Sequence, residues 1–408
     1  MLRKILLALL SLFLLAFLYF RFTLYPQIPI GNGYAAKKMC SCTFIAGRSQ
    51  ESIQEKDLSF GPLSMTKTFI DHSDQSATTT LLGLKPRTAV YREGVGCILL
   101  KGKDDYNINI TLERPTLSDT LNWPLGNQTA STPIPSEVNA SILQAAIDGA
   151  FDPSGGMDSV KTRAIVVVHK GQLIAEKYAP GFGPDTEILG WSMTKSITAT
   201  LLGILAKQGT LQLDDKALFP EWDDDRKEIS LRHLLNMQSG LEFSEVYDKL
   251  SDANRMLFQT NAVAEIPKSK ALLHEPGTHW SYSSGTTNLL SDYLRNQRGD
   301  REAYLRFPYD SLFHRIGMTS AVMETDESGT YIGSSFCYAT PRDWARFGLL
   351  YLNEGNWFGD QVIDTTWVDF AKTLVPDSDG IYGGQFWLNA DHSAYPDVPS
   401  DLFSCNGF

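Results

Sequence analysis

A serine and a lysine three residues apart, Ser192 and Lys195, have the types and spacing that most clearly suggest chemistry in this chain. On a helix, side chains at this spacing lie on one face, one turn from each other. A serine hydroxyl is a weak nucleophile until a neighbouring base takes its proton, and a partly desolvated lysine amine can do so. The pair therefore predicts nucleophilic catalysis, with Ser192 attacking and Lys195 activating it.

A buried helix is predicted to position this pair. The apolar residues downstream recur with helical spacing, and Gly209 provides a stop. Ser192 then stands at the start of the helix, where free backbone N–H groups favour developing negative charge. The residues of the apolar stripe are Ile197, Leu201, Ile204 and Leu205.

The same four letters occur a second time, at Ser64-Met65-Thr66-Lys67. A polar stretch rich in serine and threonine follows this copy, and its pattern is not that of a long amphipathic helix. We therefore interpret Ser64 as an exposed or strand-end serine without a catalytic role. Context, and not the tetrapeptide, separates the two copies.

A second group of candidate residues lies in Trp280-Ser281-Tyr282-Ser283-Ser284-Gly285, just before a predicted helix over residues 286–298. A tyrosine on a tight loop can place its hydroxyl beside a serine–lysine pair. Tyr282 could then act as a base toward Ser192 and as an acid toward the leaving group, while Ser284 holds the substrate or the lysine. The alternative is a packed loop tyrosine, with serines that satisfy the local backbone.

Together with other stretches, these residues resemble the β-lactamase-related serine hydrolases. This group includes class C β-lactamases, D-Ala-D-Ala carboxypeptidases and other penicillin-binding proteins and, more closely, the 6-aminohexanoate-dimer hydrolases. Similar stretches run in the family's order from about residue 35 to the end. They include Trp191-Ser-Met-Thr-Lys-Ser196, His233-Leu-Leu-Asn-Met-Gln-Ser-Gly-Leu241, Trp280 to Gly285, and Gly333-Ser-Ser335 leading to Ala339-Thr-Pro-Arg-Asp-Trp-Ala-Arg-Phe-Gly-Leu-Leu-Tyr351.

The resemblance implies an α/β (α+β) fold of the β-lactamase/transpeptidase type. In this fold an antiparallel sheet is flanked by helices, an all-helical region stands beside it, and the site lies between them. It also implies that Ser192 is the acylated nucleophile, that Lys195 activates it, and that Tyr282 is the shared acid and base.

The chain departs from the family pattern at two places. Many relatives have Tyr-x-Asn where this chain has Tyr282-Ser283-Ser284, so efficient β-lactamase activity is not expected. The last residues, Cys405-Asn406-Gly407-Phe408, fall where relatives begin an inner strand. The resemblance implies that the backbone of Gly407 and Phe408 completes the oxyanion site beside the Ser192 N–H. Since two further strands and a helix follow in relatives, we expect the chain to be truncated at its C-terminus.

Composition and charge exclude some classes of function. The 408 residues carry a net charge of −11, and 43% of them are hydrophobic. The first 38 residues hold five basic and no acidic side chains, so the remaining residues have 31 basic and 47 acidic ones. This acidic balance argues against a nucleic-acid partner. The sequence has no P-loop or dinucleotide fingerprint, and we expect no cofactor.

The N-terminus carries a targeting or anchoring signal. Arg3 and Lys4 precede an apolar run from Ile5 to Phe20, and Arg21 ends it. We predict an uncleaved membrane anchor with its positive end in the cytoplasm and the catalytic part exported, which is periplasmic in a Gram-negative bacterium. A cleaved signal peptide is the alternative, since the run is short for a full span. A core helix does not fit the flanking charge.

Five cysteines are consistent with an exported chain, in which disulfides can form. Cys40 or Cys42 could pair with Cys97, and Cys337 with Cys405, or the thiols could be free and buried. A metal site is not expected, because Cys40-Ser41-Cys42 has no second close ligand pair. The histidines nearest the motifs, His233, His274 and His279, are expected to pack or cap loops rather than to act in catalysis.

The chain is predicted to divide into four segments. Residues 1–34 form the anchor or signal, 35–115 a small strand-rich region, 116–135 a proline-rich linker, and 136–408 the hydrolase domain. Within these segments, Tyr91 to Lys101 is predicted as a buried strand with glycine bends, and Ser136 as a helix cap. A hairpin of residues 164–168 and 173–178 turns at Lys170-Gly171, and strands are expected at 381–388 and 401–405.

These features predict an exported serine hydrolase acting on a small-molecule or peptide-like amide or ester through an acyl-enzyme. An alternative is a cell-wall or penicillin-binding protein that acylates slowly or only binds, and a third is an inactive truncated homologue. The sequence does not identify the substrate, because pocket-lining loops determine it.

Overall fold

The computed structural model describes residues 1–102, 108–129, 134–151 and 161–407. Its helices are α1 (Leu2–Tyr19), α2 (Ile28–Phe44), α3 (Gln50–Lys56), α4 (Ala140–Gly149), α5 (Met193–Lys207), α6 (Leu231–Leu235), α7 (Asp252–Phe258), α8 (Glu265–Lys268), α9 (Ser284–Arg298), α10 (Arg301–Pro308), α11 (Pro341–Leu352) and α12 (Thr365–Lys372). Its strands are β1 (Thr66–Asp71), β2 (Ser76–Leu81), β3 (Leu84–Arg92), β4 (Gly96–Leu100), β5 (Ser118–Asn122), β6 (Gly126–Gln128), β7 (Ala164–His169), β8 (Gln172–Tyr178), β9 (Ile188–Leu189), β10 (Val322–Met323), β11 (Cys337–Ala339), β12 (Asn356–Trp357), β13 (Asp360–Gln361), β14 (Trp387–Leu388) and β15 (Phe403–Ser404).

The N-terminal helix α1 projects from the protein with every residue exposed. It continues through a short irregular helical stretch, residues 20–27, into α2. By length and composition, this helix is apolar enough to be a signal or a membrane anchor. The apolar run is not a core helix, because its side chains contact no protein interior.

Helix α2 packs on a small antiparallel sheet in which β1, β2, β3 and β4 follow one another as neighbours. Residues 35–44 were expected in a strand-rich region, but they are helical because the buried Ala35, Ala36, Met39 and Cys40 recur at helical spacing. The predicted anchor segment 1–34 likewise overlaps the first turns of this buried helix. A disulfide joins Cys40 to Cys97.

Three cysteines remain free: Cys42 and Cys337 are buried, and Cys405 is half-buried. The predicted bridge between Cys337 and Cys405 is therefore wrong. Cys337 lies on β11, while Cys405 follows β15, and these two strands belong to different sheets.

The stretch from Tyr91 to Lys101 is not one strand. Strand β3 ends at Arg92, Gly94 adopts a φ of 77°, and β4 begins at Gly96. A positive φ at Gly94 turns the backbone, so the two halves pair as neighbouring antiparallel strands.

A buried ion pair ties this N-terminal unit to the rest of the protein. Lys37 Nζ lies 2.9 Å from a carboxylate oxygen of Glu324, and both side chains are almost fully buried. The other Glu324 oxygen accepts from the Ser41 hydroxyl and from the Cys97 backbone N–H, each at 2.7 Å. Removing one partner would leave a buried charge unpaired, so the unit is expected to fold together with the catalytic part.

The predicted linker, residues 116–135, is partly built into the fold. Strands β5 and β6 pair within it, and Trp123 is only 5% exposed. The guanidinium of Arg346 donates to the carbonyls of Pro124 and Gly126. Helix α4 then begins with Asn139 as its cap, and not Ser136, because the Asn139 side chain accepts from the first free N–H groups of the helix.

The catalytic part follows the predicted order of helix, hairpin and helix. Strands β7 and β8 form the antiparallel hairpin that turns at Lys170 and Gly171. The short strands β9, β11 and β10 make a three-stranded antiparallel sheet, and β14 pairs with β15. The returning strands were expected to be longer than these two-residue elements. The core contains Leu201 and Leu205 of α5 together with residues of α6, α9 and α11.

Candidate functional site

Ser192 stands at a sharp turn between β9 and α5. The backbone N–H of Gly190 donates to the Cys337 carbonyl at 2.9 Å, which holds the end of β9 in the sheet. Trp191 then adopts a left-handed φ of 47°, and Ser192 is the N-cap of α5. A side chain at Gly190 would lie 2.4 Å from the Trp344 ring, so glycine is required there. The turn therefore places the Ser192 hydroxyl at a helix start.

Lys195 is buried, at 1% exposure, and its amine makes three hydrogen bonds. The amine lies 3.0 Å from each of three acceptors: the Ser192 hydroxyl, the Ser284 hydroxyl and the Ser334 carbonyl. A lysine nitrogen can make three hydrogen bonds, with three N–H donors as an ammonium or with two N–H donors and one lone pair as a neutral amine, so the three contacts use all of them. This geometry joins the first turn of α5 to the first residue of α9 and to the loop before β11.

Tyr282 lies beside this amine, within a group of aromatic rings. Lys195 Nζ is 4.9 Å from the centre of the Tyr282 ring. The ring also contacts Tyr382, at 5.8 Å between centroids, and Trp387, at 5.2 Å. These contacts hold the Tyr282 ring beside the lysine amine.

Ser284 is held from the side opposite Lys195 by Glu245. One carboxylate oxygen accepts from the Ser284 backbone N–H at 2.8 Å, and the other accepts from its hydroxyl. The Tyr247 hydroxyl also donates to Glu245. Burial of this hydroxyl and the charge of Glu245 raise the pKa of Tyr247, so the phenol stays protonated and remains a donor.

The C-terminal residues reach the nucleophile turn. A side chain at Gly407 would lie 2.2 Å from the Gly190 carbonyl oxygen and 3.3 Å from Trp191 Cβ. Gly407 therefore runs against the backbone that leads into Ser192. Phe408, the other predicted oxyanion residue, lies outside the described residues.

Buried polar contacts fix α5 and α9 behind the site. The Ser196 hydroxyl donates to the Gln385 carbonyl at 2.7 Å, and the Thr287 hydroxyl donates to the Gln385 side chain at 2.9 Å. Thr198 donates to the Gly333 carbonyl at 3.0 Å. Because Gln385 and Gly333 each contact α5 close to Lys195, they hold the lysine-bearing turn in place.

The other residues singled out in the sequence lie away from these contacts. His233 forms a capping box with Ser230 at the start of α6, in keeping with a capping role. The rings of His274 and His279 contact each other at 4.2 Å and line a cavity of about 230 Å³, which also borders Ser281 and Ser283. Ser64 is exposed at the end of a short 3₁₀ turn before β1, where its hydroxyl donates to the Gly61 carbonyl.

Sequence reasoning missed Glu245, Tyr247 and the carbonyl of Ser334. Glu245 and Tyr247 lie on an irregular loop nearly 40 residues before Ser284, and no periodicity or motif marks them. The Ser334 contact is made by a backbone carbonyl, so the side-chain type at this position does not predict it. The Gly333-Ser334-Ser335 stretch had been singled out only for its resemblance to the family. The glycine at position 333 was the available clue to a tightly packed backbone. In the structure, a side chain there would lie 2.0 Å from the Ser291 hydroxyl oxygen.

The described residues form no group of three or more histidine, cysteine, aspartate or glutamate side chains arranged to hold a metal ion. The chemistry available to the site itself is that of a hydroxyl paired with an amine. A neutral amine at this distance can take the proton of Ser192 as the oxygen attacks a carbonyl carbon. A phenol close by can carry protons between attacking and leaving groups.

Comparison with known proteins identifies the family and the relatives of this chain. The model of the Beta-lactamase family matches residues 147–407. The D-aminopeptidase of Brucella anthropi is 26% identical over 239 residues, which cover 56% of this chain and 44% of that protein. The D-aminopeptidase of Gluconobacter oxydans is 28% identical over 194 residues, covering 47% of this chain and 35% of that protein. The chain thus spans less than half the length of these relatives.

Solved structures show the same fold. A Bacillus anthracis protein named as a 6-aminohexanoate-dimer hydrolase superposes with a TM-score of 0.51 at 24% identity, over 65% of this chain and 70% of that one. A penicillin-binding protein homologue from Caulobacter crescentus gives a TM-score of 0.50 at 17% identity, over 65% and 85%. The predicted β-lactamase/transpeptidase-like fold is therefore confirmed.

Proposed function

Because this chain belongs to the Beta-lactamase family of serine hydrolases, we propose that it cleaves an amide or ester bond through an acyl-enzyme on Ser192. The observation that carries the proposal is the contact between the Lys195 amine and the Ser192 hydroxyl, at 3.0 Å in a buried setting. A neutral amine at this distance is the form that can accept the serine proton.

The reaction proceeds in two steps. In acylation, Lys195 takes the Ser192 proton, the serine oxygen bonds to the substrate carbonyl carbon, and Tyr282 gives a proton to the departing amine or alcohol. In deacylation, water attacks the ester formed on Ser192 and gives a proton to the Tyr282 phenolate, and the Lys195 ammonium returns a proton to the departing Ser192 oxygen. The Ser192 N–H and backbone beside Gly407 stabilise the oxyanion.

The substrate is proposed to be a small-molecule or peptide-like amide or ester. The relatives that carry the names D-aminopeptidase support an amide substrate. A second candidate is a slowly acylating penicillin-binding protein. Ser284 favours it over an efficient β-lactamase, because the serine stands where many relatives have the asparagine that contacts the β-lactam side chain.

The catalytic part is proposed to be exported and anchored. Helix α1 carries Arg3 and Lys4 at its free end, and its exposed apolar side chains need a non-aqueous environment. With the positive end in the cytoplasm, α2 and everything after it lie on the opposite side of the membrane. The residues after position 38, with 31 basic and 47 acidic side chains, carry a negative net charge.

Steady-state hydrolysis tests the proposal. Purified full-length protein in detergent is assayed with p-nitrophenyl acetate, with the p-nitroanilides of D- and L-alanine, and with a chromogenic cephalosporin. We expect many turnovers of an ester or amide by the wild type and none above background by Ser192→Ala. Release of one equivalent followed by a halt would support the slowly acylating candidate, and equal rates in the two proteins would reject the nucleophile.

A further inference from the structure

The Ser284 hydroxyl can either donate a hydrogen bond to the Lys195 amine or accept one from it. This choice determines whether the lone pair of a neutral Lys195 amine is free to face Ser192. A serine hydroxyl has one proton and can also accept. If Ser284 donated its proton to a neutral Lys195 amine, it would occupy the lone pair that Ser192 needs. If it accepts from Lys195, the lone pair stays available.

Glu245 removes this ambiguity. An ionised carboxylate only accepts hydrogen bonds, and Glu245 accepts both the Ser284 N–H and the Ser284 hydroxyl. Ser284 is also the first residue of α9, so the carboxylate sits at a helix start, where negative charge is favoured. The hydroxyl proton is thereby committed to Glu245, and Ser284 can only accept from Lys195.

We propose that Glu245 is a positioning residue that directs the lone pair of Lys195 at Ser192. A neutral lysine amine has two N–H donors and one lone pair. The Ser334 carbonyl and the Ser284 oxygen, each 3.0 Å away, accept the two N–H groups. The third direction, toward the Ser192 hydroxyl, is then left for the lone pair. This inference rests on the proposed role of Ser192 and Lys195.

The loop that carries Glu245 is held firmly enough for this role. Asn254, which is 7% exposed, donates from its side-chain amide to the Tyr247 carbonyl at 3.1 Å and to the Lys249 carbonyl at 2.8 Å. The Ser244 N–H donates to Asp252 at 3.0 Å. The Tyr247 hydroxyl donates to Glu245 and lies 3.2 Å from the Ser284 hydroxyl oxygen. The backbone contacts hold the loop on both sides of Glu245, and the Tyr247 hydroxyl holds the carboxylate itself.

Glu245→Gln tests this role with a side chain of the same shape. The carboxylate has two accepting oxygens, whereas the amide has one. In the variant, the Ser284 N–H still donates to an oxygen, which is now the amide oxygen. The amide NH₂ then faces the Ser284 hydroxyl and donates to it. The serine proton is released from Glu245 and can turn toward Lys195. The variant therefore reverses one hydrogen bond with little change of shape.

The rate at which a fluorophosphonate probe labels Ser192 is measured for full-length protein in detergent, in the native background and in a Ser284→Asn background. In this reaction the serine oxygen bonds to phosphorus and fluoride leaves. An asparagine carbonyl oxygen accepts from Lys195 and carries no proton of its own. We expect Glu245→Gln to slow labelling on the order of tenfold or more in the native background. In the Ser284→Asn background the same substitution should change the rate less than about twofold, since the directional choice is gone.

Controls separate this role from a structural one. Glu228→Gln, an exposed glutamate paired with Lys216, should leave the rate unchanged in both backgrounds. If Glu245→Gln lowers the melting temperature, the labelling rates are compared at a temperature at which all four proteins are folded, and the loss should still be confined to the native background. Equal losses in both backgrounds, or no loss, overturn the inference. Absence of labelling in the wild type would instead reject the proposed function.

Discussion

The ring of Tyr34, on α2, stacks on the ring of Trp191, the residue before the candidate nucleophile, with 6.0 Å between centroids and 15° between planes. Lys38, one helical turn further on, lies 5.4 Å from the same indole, and Phe336 lies 5.5 Å from it. The helix that continues from the apolar N-terminus thus contacts the nucleophile turn itself. The N-terminal helix and the candidate nucleophile turn are therefore structurally linked at Trp191.

Loss of this stacking should weaken both the fold and the site. Tyr34→Ala removes a ring that supports Trp191 in its left-handed conformation. We expect a loss of stability of about 1–3 kcal/mol, together with slower labelling of Ser192 by a fluorophosphonate probe, because Ser192 directly follows Trp191. Thermal melting and labelling rate measure the two effects. Tyr34→Phe keeps the ring and should match the wild type, and a stable Tyr34→Ala protein with normal labelling would show that the contact is incidental.

Tyr282→Phe tests the proposed proton carrier. The substitution keeps the aromatic ring and its contacts with Lys195, Tyr382 and Trp387, so the fold should be unchanged. Loss of the hydroxyl should lower kcat on the order of 10²–10⁴-fold, with little change in KM. Steady-state kinetics on an activated ester and on an amide give the comparison. A full rate with the amide would assign proton transfer to another group.

Gly407→Ala tests whether the C-terminal residues complete the site. The added methyl would meet the Gly190 carbonyl oxygen at 2.2 Å, so either the C-terminal segment or the nucleophile turn must move. We expect acylation to slow on the order of tenfold or more, since small displacements in an active site are costly. Gly348→Ala is the matched control. That position is helical and exposed, with nothing near an added Cβ, and alanine should stabilise it by about 0.5–1 kcal/mol.

His233 should make stability fall on mild acidification. Burial, followed by the charges of Lys216 and Arg232, lowers the pKa of His233 below its ordinary value of 6.5. Between the two pKa values the unfolded chain binds more protons than the folded one, so stability decreases as the pH falls from 6.5 through the lowered pKa. The Nδ1 atom, which accepts from the Ser230 N–H at 3.2 Å, must stay unprotonated for the cap to survive.

His233→Gln provides the control for this pH dependence. Glutamine at the same position of a capping box can accept from the Ser230 N–H and does not titrate in this range. Melting temperatures between pH 7.5 and 5 should therefore fall less steeply for His233→Gln than for the wild type. His314, whose pKa burial also lowers, is present in both proteins and cancels in the difference. Parallel curves would show that His233 does not contribute.

The sequence was sufficient for the parts of the site that local patterns determine. The apolar stripe predicted α5, glycine predicted its end, and the Lys170-Gly171 turn predicted the hairpin. The spacing of Ser192 and Lys195 predicted their contact, because residues three apart on a helix must meet. Resemblance to a family added the overall fold, which the structural comparison confirms.

The sequence was insufficient where contacts join distant segments. Helix α2 was hidden because its residues are buried on most sides, so its pattern lacks a polar face. The Lys37–Glu324 pair and the Glu245–Ser284 contact join residues far apart in the chain, and side-chain type alone does not select such partners. Two-residue strands such as β14 and β15 are too short to show alternation.

The most direct measurement is the intact mass of the full-length protein after reaction with a fluorophosphonate probe. The wild type, Ser192→Ala and Ser64→Ala are compared under identical conditions. We predict a single adduct on the wild type and on Ser64→Ala, and none on Ser192→Ala. Of the serines that open the two copies of the tetrapeptide, Ser192 has a buried amine at hydrogen-bond distance, whereas Ser64 is bonded to a backbone carbonyl. An adduct that persists in Ser192→Ala, or that disappears in Ser64→Ala, would contradict the assignment of the nucleophile.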